Sequence, residues 1–205
     1  MILRTLPLLL LIAALPARAD EAPGRLIAVL SGDWDGDEMA DAITLVQAED
    51  GMADLVVHRG SYRGLEPVLT LPAVIFAGPM AGQAPGLEAA SASSFRITTE
   101  QTGIGRTPWH AALTVAWRDG GFVVAGYTYA FYDRLDLGHY GSCDVNLMTG
   151  EYEITLSPGD EQPDGSMVEG SAVEVRENGR GPRGSFPLAE LREGYSAAAC
   201  DGLFR

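Results

Sequence analysis

The chain of 205 residues contains no lysine, three histidines and two cysteines. All 14 of its basic residues are arginine, and 28 acidic residues give it a formal net charge of −14. A domain this acidic repels phosphate backbones and anionic lipid. We therefore expect no nucleic-acid partner. The absence of lysine by itself carries no functional information.

Common catalytic motifs are missing as well. The sequence has no G-x-S-x-G nucleophile elbow, no glycine-rich phosphate loop and no C-x-x-C pair. The histidines, His58, His110 and His139, are scattered without the H-x-x-x-H spacing of metal ligands. The sequence thus favours a protein that is not an enzyme, without deciding the question.

No apolar run is long enough to cross a membrane, which takes about 20 residues. Residues 1–19, MILRTLPLLLLIAALPARA, combine a basic Arg4, an apolar stretch and a final A-x-A. This order is typical of a secretory signal peptide, and the alternative, an N-terminal membrane anchor, fits the short run less well. We expect cleavage after Ala19, a mature domain at residues 20–205, a periplasmic or secreted location and no stable membrane insertion.

Both cysteines, Cys143 and Cys200, lie in the exported part of the chain. An even cysteine count in an oxidising compartment predicts one disulfide. It would tie the loop-rich C-terminal region, residues 157–205, to the rest of the domain. The alternative, a nucleophilic Cys143, needs a nearby base, and the neighbours Ser142 and Asp144 do not provide one.

Alternating apolar and polar residues, bounded by glycine and proline, dominate the mature chain and predict strands. The predicted strands are 25–30, 42–47, 53–59, 67–71, 73–76, 95–100, 111–118, 121–131, 143–149 and 151–156. The RDGG turn at 118–121 favours a hairpin, and the two late segments that flank NGRGPR suggest either another hairpin or a short ordered tail. The pattern predicts an all-β domain of antiparallel sheets, packed as a sandwich or as a partial propeller-like arrangement.

Four aspartates, Asp33, Asp35, Asp37 and Asp41, occupy positions 1, 3, 5 and 9 of the stretch DWDGDEMAD. Calcium prefers six to eight oxygen ligands, and Met39 at position 7 could add its backbone carbonyl. An EF-hand would need glycine at position 6 and glutamate at position 12. Those positions hold Glu38 and Thr44, so the EF-hand interpretation fails.

The stretch GDWDGDEMADAITLV resembles the calcium-binding blade motif of FG-GAP and VCBS repeats in integrin-like β-propellers, and the resemblance covers residues 25–59. One departure is Glu38, where the family usually has glycine. The resemblance implies a structural Ca²⁺ held by Asp33, Asp35, Asp37, Met39 and Asp41, and a first sheet like one propeller blade. The alternative is an exposed acidic turn without metal.

Aromatic residues cluster around the predicted hairpin at 111–131, and Tyr127, Tyr129 and Phe131 alternate onto one strand face. One interpretation places them in the core between the sheets. The other makes Trp109, Tyr127 and Tyr129 a binding surface for a glycan or a protein partner. Arg106 and Arg118 would then supply the rim of that surface.

Two functional hypotheses remain. The first is an exported calcium-binding β-protein that acts as a structural or binding module, with an inhibitor or chaperone of another exported protein as a variant of it. The second is a small periplasmic hydrolase that uses Asp133, Asp136 and His139 in an aromatic cleft. A hydrolase of this kind needs two carboxylates that face one another across a pocket.

Overall fold

The computed structural model describes residues 24–162 and 164–204. The predicted signal peptide, residues 1–19, lies outside this part of the chain. The described residues form strands β1 (Leu26–Gly32), β2 (Asp41–Gln47), β3 (Met52–Ser61), β4 (Gly64–Phe76), β5 (Gly86–Ser91), β6 (Ser94–Gln101), β7 (Trp109–Arg118), β8 (Gly121–Tyr132), β9 (His139–Asn146), β10 (Glu151–Pro158), β11 (Val175–Arg180) and β12 (Phe186–Pro187). Two 3₁₀ helices, Leu188–Glu190 and Ala198–Phe204, follow β12. The fold is all-β, as predicted.

The first sheet consists of four consecutive antiparallel strands in the order β1-β2-β3-β4. In its centre, Ile43 pairs with Val57 and Leu45 with Leu55. All four side chains are buried, because the alternation of a strand sends every second residue to the same face. The sheet therefore has one buried face.

The second sheet has eight antiparallel strands in the order β11-β10-β9-β8-β7-β6-β5, with β12 paired to β8. The predicted RDGG hairpin is present, and Arg118 pairs with Gly121 across the turn. Its central residues, Asp119 and Gly120, have φ values of 51° and 84°. A two-residue turn with positive φ at both residues has a backbone twist that matches the right-handed twist of the flanking strands.

The core lies between the two sheets and beneath the C-terminal segment. Its fully buried members include Ile43, Leu45, Leu55, Phe95, Ile97, Val115, Val124 and Leu188. The indole of Trp34, from the loop between β1 and β2, packs against the ring of Phe95 on β6, with centroids 5.6 Å apart. The sandwich arrangement is thus held by aliphatic layers and by this aromatic contact.

Three details differ from the predicted strands. The two segments 67–71 and 73–76 belong to one strand, β4, in which Ala73 takes a positive φ of 47°. Strand β5 was not predicted, because GLEAAS lacks β-branched residues. The two late segments do not pair with each other: β11 pairs with β10 and β12 with β8. The hairpin alternative for these segments was therefore wrong, because pairing partners are set by the packing of the sheet and not by proximity in the sequence.

The predicted disulfide joins Cys143 of β9 to Cys200 in the second 3₁₀ helix, 57 residues further along the chain. Both cysteines are fully buried. The bond fixes the C-terminal segment to the large sheet. Within the described residues, no helix is both long enough and apolar enough to cross a membrane.

Candidate metal loop, aromatic cleft and acidic cleft

The loop between β1 and β2 is organised around the carboxylate of Asp33. One oxygen, Oδ1, accepts hydrogen bonds from the backbone amides of Gly36 at 2.8 Å and Asp37 at 3.1 Å. The other, Oδ2, accepts one from the amide of Glu38 at 3.0 Å. A short polar side chain that bonds the amides following it is the usual way to close a tight turn. The loop therefore curls around its first aspartate.

Curling brings three of the predicted ligands together. One carboxylate oxygen each from Asp33, Asp35 and Asp37 lies within 4.8 Å of the others. Asp33 and Asp37 are exposed, whereas the side chain of Asp35 is only 8% exposed. Carboxylate oxygens are the donors that hard divalent cations prefer, so this group could hold a metal ion.

The charge balance at Asp35 also bears on cation binding. Burial raises the pKa of its carboxyl, the negative Asp41 and Asp37 raise it further, and the net shift is upward. The amide of Asp37 and the guanidinium of Arg59, which lies 3.1 Å from Asp35 Oδ2, act in the opposite direction. One arginine does not neutralise the group, and a bound cation would relieve the remaining repulsion.

The other two predicted ligands have different surroundings. Asp41 is buried, and its carboxylate accepts hydrogen bonds from the amides of Trp34 at 3.2 Å and Gly60 at 2.9 Å. A Cβ at residue 60 would lie 2.4 Å from the carbonyl oxygen of Ala40, so this close approach requires glycine. Asp41 thus fastens the loop to the end of β3 and is not in the three-carboxylate group. Met39 is exposed, and its amide donates to Asp37 Oδ1 at 2.9 Å.

The predicted binding residues Trp109, Tyr127 and Tyr129 line a single cleft of about 320 Å³ between the sheets. The indole of Trp109 stacks on Tyr129 with centroids 6.3 Å apart and contacts Phe76 at 5.7 Å. Tyr127 meets Tyr195 edge to face at 6.0 Å. Tyr127 is a core residue, as the first interpretation of the aromatic row expects, and Trp109 and Tyr129 are half-buried.

Burial also sets the protonation of the phenols in this aromatic cleft. It raises the pKa of Tyr127 to about 12, and it raises the pKa values of Tyr129 and Tyr195 above their usual range. The hydroxyls therefore stay neutral at physiological pH. The aromatic cleft presents ring faces and neutral hydroxyl groups.

Other residues of this cleft come from parts of the chain far from the aromatic row. Phe76 ends β4, and Leu191, Arg192 and Tyr195 follow the first 3₁₀ helix. No local pattern marks these residues, because only the packing of the C-terminal segment places them here. The predicted rim arginines do not line the cleft: Arg118 donates to Ser93 Oγ and to the carbonyl of Trp117, and Arg106 lies in a different cleft.

The cleft that contains Arg106, the acidic cleft, has a volume of about 530 Å³. It is also lined by the three residues of the hydrolase hypothesis, Asp133, Asp136 and His139. Arg106 Nε donates to both carboxylate oxygens of Asp133, at 2.8 and 2.6 Å. Burial alone would raise the pKa of Asp133, but Arg106 and the amides of Leu135 and Asp136 lower it to about 2. A carboxyl this acidic cannot act as a general acid near neutral pH.

The carboxylate of Asp136 is also occupied by hydrogen bonds, in this case from backbone amides. Its carboxylate accepts hydrogen bonds from the amides of Gly138, Asp160 and Glu161, at 3.0, 2.7 and 2.9 Å. Both carboxylates therefore hold the loop between β8 and β9 in place, and His139 Nδ1 lies 3.6 Å from Asp133 Oδ2. The structure brings the three residues together, but their partners are those of a structural junction and not of an acid–base pair.

No match to this chain was found among protein-family models, curated proteins or solved structures.

Proposed function

We propose that this protein is an exported β-sandwich that binds calcium through Asp33, Asp35 and Asp37 and acts as a structural or binding module. The observation that carries the proposal is the convergence of three carboxylate oxygens within 4.8 Å of one another on one loop. The spacing of these aspartates, and the strand that follows them, resemble the FG-GAP and VCBS calcium motif. The role of the ion is to fix the loop between β1 and β2.

Two features favour an oxidising location outside the cytoplasm. A disulfide joins Cys143 to Cys200, and such bonds persist in secreted and periplasmic proteins. Residues 1–19 have the composition of a signal peptide. Extracellular calcium modules bind the ion with dissociation constants of about 10⁻⁴–10⁻³ M. An affinity in this range suits a surface loop with three acidic ligands.

The acidic cleft favours a non-catalytic role, because the carboxylates of Asp133 and Asp136 are already hydrogen-bonded to Arg106 and to backbone amides. The binding role falls instead to the cleft that contains Trp109 and Tyr129. Its apolar walls suit recognition of a ligand more than chemistry on one.

Thermal melting of the mature protein, residues 20–205, tests the calcium site. At ten times the dissociation constant, calcium should stabilise the fold by about 1.4 kcal/mol, which raises Tm by roughly 2–6 °C. Magnesium should do less, because it demands a tighter octahedral shell.

Asp35→Ala should remove the calcium response. Asp164→Ala, which changes an exposed aspartate of another acidic loop, should keep it. An equal Tm for the wild type in chelator and in millimolar calcium would show that the aspartates form only an acidic turn.

A further inference from the structure

The lining of the aromatic cleft contrasts with the charge of the whole molecule. The chain carries twice as many acidic as basic residues. Yet among the described residues that line this cleft there is no carboxylate, and the one charged side chain is Arg192. The adjacent Glu193 lines a neighbouring cleft, which Val74 and Arg192 also line. The aromatic cleft therefore presents a single positive side chain in a molecule that is negative as a whole.

Arg192 is held in place without a charged partner. Its Nη1 donates to the carbonyl oxygens of Leu191 at 2.9 Å and Ala189 at 3.3 Å. In the described part of the chain, no acidic group lies within ion-pair distance of it, and its Nη2 and Nε have no acceptor. A guanidinium fixed by its own loop, with donors left over, has the fork geometry that binds a carboxylate.

The walls of the aromatic cleft select for a flat apolar body. The stacked rings of Trp109 and Tyr129, tilted 28° from one another, form one side. Aliphatic side chains that include Val74, Ile97 and Leu113 line the rest. The volume of about 320 Å³ lies at the small end of ligand pockets, which run from about 300 to 1,000 Å³. It suits a molecule of one or two rings better than a folded partner or a long acyl chain.

We propose that this cleft binds a small aromatic monocarboxylate, whose rings lie against the Trp109–Tyr129 stack and whose carboxylate pairs with Arg192. The neutral hydroxyls of Thr99, Tyr127 and Tyr195 lie in the same lining and are compatible with an anionic ligand. A glycan fits less well, since this lining has no carboxylate or carboxamide side chain to bond its hydroxyls. The inference rests on the binding role in the proposed function and is independent of the metal.

Isothermal titration calorimetry with two matched probes tests this assignment. The mature protein should bind 2-naphthoate at one site per chain, and the uncharged 2-naphthalenemethanol at least about tenfold more weakly. Arg192→Gln should weaken naphthoate binding by about tenfold or more and leave the alcohol within about twofold. Trp109→Ala should weaken both probes.

Arg96→Gln is the matched control, because Arg96 is an exposed arginine on β6 with no ion pair in the described structure and does not line the cleft. It should bind both probes like the wild type. The inference is overturned if the wild type does not bind naphthoate, if Arg192→Gln binds it unchanged, or if an uncharged oligosaccharide binds in its place. Because Arg192 is exposed, its variant should fold and keep the test decisive.

The titrations are run both in calcium and in chelator, so that the two proposals fail separately. Loss of naphthoate binding while calcium still raises Tm defeats the ligand assignment alone. Naphthoate binding in both buffers, without any effect of calcium on Tm, defeats the metal assignment alone.

Discussion

The indole of Trp34 packs against the ring of Phe95 with centroids 5.6 Å apart and planes inclined by 55°. Trp34 stands between Asp33 and Asp35 in the acidic loop, and Phe95 belongs to β6 of the large sheet. The acidic loop is thus fastened to the core of the sandwich by its second residue. Ordering of the loop by a cation should therefore be felt as stability of the whole domain, and not only as a local change.

The Trp34–Phe95 contact can be measured by a double-mutant cycle of Trp34→Leu and Phe95→Leu. Aromatic pairs of this kind contribute about 0.5–1.5 kcal/mol beyond their buried area, so a coupling energy of that size is expected in urea unfolding. The buried Nε1 of Trp34 has no hydrogen-bond partner in the described structure. Removing it in Trp34→Leu should offset part of the lost packing.

The cycle of Trp34→Leu with Phe186→Leu is the control, because the ring contact of Phe186 is with Tyr195. Its coupling energy should be near zero. Equal coupling in the two cycles would mean that Trp34 contributes volume only.

Glu38 has a φ of 69°, in the left-handed region where side chains are strained. This is the position at which the calcium blade motif usually has glycine. The left-handed conformation costs a residue with Cβ roughly 1–2 kcal/mol, and glycine removes this cost. Glycine also gives the unfolded chain more conformational freedom, which lowers stability. The net effect of Glu38→Gly should be an increase of about 0.5–1 kcal/mol in the free energy of unfolding. A rise in Tm of roughly 1–4 °C is the expected readout.

Asp119→Gly, in the β7–β8 turn where φ is 51°, is a matched control for Glu38→Gly. It should raise Tm for the same reason but leave the calcium dependence of Tm unchanged. A drop in Tm for Glu38→Gly would show that the carboxylate of Glu38 does more than occupy a strained position.

The ion pair between Arg106 and Asp133 predicts a specific dependence of stability on pH. Since the pKa of Asp133 falls from 3.8 to about 2 on folding, the folded state keeps this carboxylate charged where the unfolded chain protonates it. The charged carboxylate contributes about 2 kcal/mol to the free energy of unfolding. This contribution is present above pH 4 and is lost as the pH falls toward 2. Asp133→Asn should cost about that amount at pH 7 and little near pH 2, measured by urea unfolding across this range.

Asp50→Asn, in the exposed turn between β2 and β3, serves as the comparison for Asp133→Asn and should unfold like the wild type. A cost for Asp133→Asn that stays the same from pH 7 to pH 2 would rule out the ion pair as its source.

The disulfide between Cys143 and Cys200 closes a loop across 57 positions of the chain. The bond restricts the unfolded chain and so lowers its entropy. It should therefore raise the free energy of unfolding by about 4 kcal/mol. The variant that combines Cys143→Ala and Cys200→Ala should lose that much in urea unfolding, and Leu191–Tyr195 should become more accessible to protease. Native protein should show no alkylation of either cysteine without reductant. Full labelling of both would contradict the structural role and make Cys143 a candidate reactive group again.

The sequence by itself determined the all-β class and most of the strands, the hairpin at Asp119 and Gly120, the pairing of two cysteines and the acidic loop. Each of these follows from short-range rules: alternation of side chains, the backbone freedom of turn residues, an even cysteine count and the spacing of carboxylates. The three carboxylates of Asp33, Asp35 and Asp37 converge because the loop that carries them is local. Short-range spacing is therefore enough to predict that group.

Tertiary structure decided the rest. Asp41 has ligand spacing in the sequence, but its carboxylate satisfies the amides of Trp34 and Gly60, because β3 comes close to the loop only in the folded sheet. Arg106, expected beside the aromatic row, pairs with Asp133, and Arg192, from the last part of the chain, takes the place beside Trp109 and Tyr129. Long-range neighbours of this kind depend on how the sheets and the C-terminal segment pack, and packing leaves no periodic signal in the residues that meet.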